Sequence, residues 1–105
     1  MLEKINHKSA PEEVVNALLT LYHQGKSDDV LSRSSQLIKE YPNTFVLHNI
    51  VGAICFEKGE EEIAIKHFRK VIDIVPHHYH AYNNLGAVLI NLGKYQEAKS
   101  NLKKA

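Results

Sequence analysis

Chemistry in this chain would have to come from a few groups of side chains. Three histidines, His77, His78 and His80, crowd the stretch PHHYHAY, and the chain holds seven in all. One cysteine, Cys55, lies between Ile54 and Phe56, and Glu57, Glu60, Glu61 and Glu62 cluster in EKGEEE. Zinc needs three or four ligands converging at about 2 Å. The three histidines straddle a turn and a predicted helix start, so one face does not collect them, and surface imidazoles at a turn are expected. A nucleophilic cysteine needs a base and an electropositive opening; nothing near Cys55 supplies a base, so it is predicted to be core. The glutamates fit the first turn of a helix, where negative charge meets the positive end of the dipole, and Lys99, Lys103 and Lys104 suit a helix C-terminus. There is no glycine-rich phosphate loop, no recognisable pair of catalytic carboxylates and no nucleophile elbow. No catalytic residue, metal site or cofactor site is predicted, and the chain is read as a non-enzyme.

The elements that position these residues follow from a repeat. Gly25, Gly59 and Gly93 stand 34 residues apart, as do Pro42 and Pro76, Asn49 and Asn83, Gly52 and Gly86, Ala53 and Ala87, and Ala64 and Ala98. Aligning 45–71 with 79–105 gives six identities in 27 positions, where chance gives about one or two. Within each unit the apolar residues recur at helical spacing, as in Leu47, Ile50, Val51 and Ile54 and then Ile63, Ile65, Phe68, Val71 and Ile72. Each glycine falls where a first helix ends and a left-handed residue is needed. Each proline follows the second helix, whose hydrogen-bond ladder it cannot continue. Six helices are predicted, over 11–24, 27–40, 44–58, 61–74, 78–92 and 95–105. Ser9 with Glu12 reads as a capping box opening the first.

The stretch YNNLGAVLINLGKYQEAKSNLKKA resembles the tetratricopeptide repeat, in which a helical hairpin recurs every 34 residues. Tyr82, Leu85, Gly86 and Leu89, then Ala98 and Leu102, take the signature places. In the middle unit these fall to His48, Val51, Gly52, Cys55, Ala64, Phe68 and Pro76. The first unit is degenerate, with Val14, Ala17, Leu18, Leu21, Val30, Ser34 and Pro42. The resemblance covers 11–105, in units of about 11–44, 45–78 and 79–105, behind a leader of residues 1–10. It implies an all-α fold, a right-handed α-solenoid of three helical hairpins. Leu18 stands where the other units have glycine, so a looser or shifted first hairpin is expected. The chain stops inside an amphipathic pattern, which reads as a piece of something longer, and Leu102 is expected to expose apolar surface favouring self-association through the terminal helices.

Composition narrows the partner class. Thirteen Lys and Arg against twelve Asp and Glu leave a net charge of +1, far from the basic field that draws a protein onto nucleic acid. The first ten residues are too polar for a signal peptide, and no apolar run approaches the roughly 18 residues of a membrane span. With a single cysteine, no internal disulfide can form, and a cytoplasmic setting is expected. The resemblance places the first helix of each unit along a concave groove lined by Val15, Asn16, Leu19, Tyr22 and His23, by Asn49 and Phe56, and by His80, Asn83, Asn84 and Asn91. Amides that both donate and accept, with Tyr22 and Phe56 for apolar contact, suit a partner peptide or helix. Asn16 and Asn84 match places where sugar-nucleotide-dependent protein glycosyltransferases of this repeat type carry an asparagine ladder, which Ile50 interrupts. Members of the family that hold chaperone tails use a clamp of cations and amides. The matching positions here are Val15, Leu19, Ile50, His80 and Asn84, with no lysine or arginine to attract a carboxylate. The expected function is a non-catalytic protein-interaction module or scaffold. The alternative is the N-terminal acceptor-recruiting domain of a larger bacterial sulfotransferase or glycosyltransferase, and a third reading is metal handling through the histidines.

Overall fold

The computed structural model describes residues 9–93 and 95–104. Residues 1–8 of the leader lie outside it. Six helices follow one another: α1 Glu12–His23, α2 Ser27–Glu40, α3 Phe45–Glu57, α4 Glu61–Ile74, α5 Tyr79–Asn91 and α6 Tyr95–Lys104. Among the described residues there is no strand. The bounds match the sequence pattern to within a residue, because the punctuation is physical.

Gly25, Gly59 and Gly93 adopt φ of 79°, 81° and 79°, the left-handed region in which a β-carbon is costly. At Gly25 this lets two backbone N–H groups turn back onto the helix: Gly25 to Tyr22 O at 3.0 Å and Lys26 to Leu21 O at 3.0 Å. Gly59 and Glu60 repeat the pattern onto Phe56 and Cys55. Carbonyls at the helix end that would otherwise lack partners are thereby satisfied.

The capping box does not form. Pro11, with φ of −55°, is the N-cap of α1 and supplies no side-chain hydrogen bond. Ser9 therefore lies two residues upstream of the cap and cannot reach the third residue of the helix. The N–H of Ala10 instead donates to Thr44 Oγ1 at 2.9 Å, and Ala10 is buried.

Each helix packs on the next in sequence, and α3 also lies beside α5. The resulting solenoid of helical hairpins measures 44 × 34 × 18 Å, its least dimension close to two helix layers. Two apolar clusters run through it. One joins Leu18 and Val30 to Leu47, Ile50 and Ile54, and the other joins Val51, Cys55, Ala64, Ile65 and Phe68 to Leu85, Val88 and Leu89. Every unit thus buries its apolar face against its neighbour, as stacked repeats do. Ile63, which fits the helical pattern, is 44% exposed and stands outside both clusters. The α3–α4 hairpin is the most closely packed and α1–α2 the least, in line with the looser first hairpin expected from Leu18.

Candidate functional site

The first helices of the three units carry all the candidate groove residues, and the fold sets α3 beside α5. Contact between α1 and α3 is marked by Tyr22, whose hydroxyl donates to Glu57 Oε2 at 2.7 Å. That bond, together with partial burial, pushes the Tyr22 hydroxyl pKa up to about 12. Tyr22 is therefore pinned rather than free, with its ring also against that of His23. Val15 and Leu19 are half-buried and pack, like Tyr22, against the first apolar cluster, while Phe56 packs against the second. Asn16, His23, His80, Asn83 and Asn91 are exposed, and Asn49 and Asn84 are half-buried. Asn91 donates to Glu61 at the start of α4, and the Asn49 carboxamide oxygen is buried without a partner. Ile50 is in the core, so the break in the asparagine series is a residue that turns inward. None of the residues proposed for this face is a lysine or arginine.

The histidines have structural work. His78 is the N-cap of α5, its Nδ1 accepting from Ala81 N–H at 3.1 Å. Its ring stacks edge-on against Phe45 and His80, with centroids 5.2 and 5.9 Å away. His77 and His80 are exposed at the same turn. Among the described residues no group of three or more His, Cys, Asp or Glu is placed to hold a metal. Cys55 is buried, and burial together with the nearby Glu60 raises its thiol pKa, away from nucleophilic use. Of the EKGEEE glutamates, Glu61 and Glu62 occupy the first turn of α4, whereas Glu57 serves Tyr22.

A pair that the sequence pattern does not disclose lies inside the middle hairpin. His48 on α3 is only 5% exposed. Its Nε2 stands 2.8 Å from the Pro42 carbonyl and its Nδ1 stands 3.0 Å from His67 Nδ1 on α4. A carbonyl only accepts, so His48 Nε2 carries the hydrogen and neutral His48 offers Nδ1 as acceptor to the N–H of His67. Burial lowers the pKa of His48, and burial with the adjacent His48 takes that of His67 down to about 4. The two are 19 residues apart, a spacing set by hairpin packing and by no local motif.

A family model, the tetratricopeptide repeat, matches residues 67–100, from the middle of α4 through α5 into α6. The matched segment is one such repeat, and the helical-hairpin solenoid around it has the fold of tetratricopeptide proteins. Similar curated proteins include a tetratricopeptide-repeat-containing protein of Methanocaldococcus jannaschii, 28% identical over 97 residues. The Saccharomyces cerevisiae protein named essential for maintenance of the cell wall 1 is 28% identical over 75 residues. A Pseudomonas putida protein named as a biofilm formation methyltransferase, WspC, is 24% identical over 94. These matches take in 92%, 71% and 90% of this chain and only 17%, 8% and 22% of those proteins. Among solved structures, the second repeat domain of Spaghetti (RPAP3), bound to an HSP90 peptide, superposes with a TM-score of 0.80 at 18% identity, over 85% of this chain and 82% of that one. MamA superposes with a TM-score of 0.79 at 22% identity, over 86% and 55%. At such identities the likeness is one of fold, shared by the tetratricopeptide hairpins of all three.

Proposed function

We propose that this tetratricopeptide domain is a non-catalytic protein-interaction module that binds a partner segment along the face formed by α1, α3 and α5. The observation that carries the reading is the set of amides on those helices, Asn16, Asn49, Asn83, Asn84 and Asn91, interleaved with the half-buried rings of Tyr22 and Phe56. Carboxamides pair with both the N–H and the C=O of a peptide backbone, and the rings supply apolar area at small entropic cost. The RPAP3 domain of the same fold is bound to a peptide, which supports the class of partner. Its HSP90 peptide is a poor template for the ligand, because none of the residues proposed for the face here is a lysine or arginine that could meet a carboxylate-rich segment.

A displayed library of random peptides supplies the test. Peptides selected on the full chain should bind Asn84→Ala and Tyr22→Ala variants at least tenfold more weakly, and Lys66→Ala, on the opposite helix layer, with unchanged affinity. Binding that ignores the face substitutions would reject the assignment.

A second reading is favoured by the length of the relatives and by the methyltransferase name that one of them carries. In it the repeats recruit an acceptor protein to a transferase region elsewhere in a longer chain. Reading the gene on either side of this segment separates the two: further repeats favour a scaffold, and alternating strand and helix patterns favour an enzyme.

A further inference from the structure

The first hairpin contains a cleft that the face described above does not use. It lies between α1 and α2, encloses about 540 Å3, and is lined by Val14, Ala17, Leu18, Leu21 and Leu37, with Arg33 among its polar residues. That volume is in the usual range for a binding site, roughly 300–1,000 Å3. In the 34-residue register, Ala17 and Leu21 are the counterparts of Val51 and Cys55 and of Leu85 and Leu89. Those four are at most 3% exposed, whereas Ala17 is exposed and Leu21 half-buried.

What buries the later positions is visible in the fold. Helix α2 packs on α3, and α4 packs on α5. Leu31 and Ile38 of α2, and Ile65 and Ile72 of α4, belong to or pack against the cluster that holds Val51, Cys55, Leu85 and Leu89. Each aliphatic pair is seven residues apart, two turns along one helix face. Helix α1 presents the same apolar row, yet among the described residues it packs mainly on α2.

We propose that the α1–α2 cleft docks an amphipathic helix of a partner protein that carries two aliphatic side chains seven residues apart, with an acidic residue meeting Arg33. The site continues the interface by which α2 covers α3 and α4 covers α5, and its occupant is defined by that precedent. A second copy of the chain is a poorer occupant. Among the described residues, the exposed large hydrophobics Ile63, Tyr79, Ile90 and Leu102 include no pair seven apart on one helix.

The α4 segment itself is the probe. A fluorescein-labelled peptide of residues 61–74, titrated with the full chain and followed by anisotropy, should bind saturably at one site. Replacing both Ile65 and Ile72 of the peptide by Asp should weaken binding at least tenfold. So should Ala17→Asp in the protein, with its fold checked by circular dichroism. Arg33→Glu, at an exposed position that tolerates the change, should weaken binding severalfold even if Ala17→Asp misfolds. Asn84→Ala should bind the peptide normally, so failure here is distinct from failure of the face reading. The proposal is overturned by no saturation up to about 1 mM peptide, or by binding that survives both cleft substitutions. Binding seen only after residues 1–8 are deleted overturns it in favour of the chain's own segment. Self-association abolished by Ala17→Asp, without peptide binding, overturns it in favour of a second copy.

Discussion

Gly52 on α3 and the Phe68 ring on α4 approach so closely that a β-carbon on the glycine would lie 2.7 Å from the ring. This contact closes the middle hairpin, and Phe68 behind it is 1% exposed. The corresponding positions of the first unit are Leu18 and Ser34, both buried, and those of the third are Gly86 and Leu102. Bulk has moved from the second helix to the first within unit one. A leucine facing α2 acts as a spacer, and the hairpin with the sparsest packing is the one that holds the cleft.

Gly52→Ala should therefore destabilise the domain by about 1–3 kcal/mol through overpacking, although alanine is the better helix former by about 1 kcal/mol. Phe68→Leu, the residue of the third unit, frees the space that the new methyl group needs. In a double-mutant cycle read by urea denaturation, Gly52→Ala should cost at least about 1 kcal/mol less in the Phe68→Leu background. Strictly additive effects would show that the ring is not what limits the site.

Ser34 pairs complete burial with a hydroxyl that has no hydrogen-bond partner. An unsatisfied buried hydroxyl costs roughly 1–3 kcal/mol, and serine is a weaker helix former than alanine. Ser34→Ala is expected to raise stability by about 1 kcal/mol, seen as a higher urea midpoint at constant slope. A lower midpoint would mean that the hydroxyl has a partner in solution.

Much of this architecture is legible from particular residues. Gly25, Gly59 and Gly93 mark the hairpin turns because a left-handed φ is a local requirement, and Pro42 and Pro76 mark the unit boundaries for an equally local reason. Leu18 announces the open hairpin because the register sets it against Gly52 and Gly86. Ser9 misleads because a cap depends on where the backbone enters the helix, and Thr44, 34 residues away, holds that entry through Ala10. On the candidate face the asparagines follow from the register alone. The bond from Tyr22 to Glu57 does not, since it joins residues 35 apart in different units. His48 and His67 are invisible for the same reason: their meeting is a product of packing.

That histidine pair makes stability depend on pH in a definite direction. Both rings have pKa values below the ordinary 6.5, with His67 at about 4. The unfolded chain takes up protons near 6.5 while the folded chain does not, so the unfolded state binds more protons as the pH falls. The contribution is fully present above about pH 6.5 and is lost progressively toward pH 4. Each ring adds at most about 1.4 kcal/mol per pH unit, and less for His67, which is only half-buried and screened by solvent. One added proton can go on His67 Nε2 and leave the His67 Nδ1–H to His48 Nδ1 bond intact, but a second, on His48 Nδ1, would set two donors face to face. Lys66 and Lys70 also oppose the charge. Replacing the pair by the residues of the third unit at the same positions, His48→Tyr with His67→Asn after Tyr82 and Asn101, removes both titrating groups. Thermal melts should then change much less between pH 7 and pH 5 than those of the parent chain. An unchanged slope in the double variant would place the acid sensitivity in other groups.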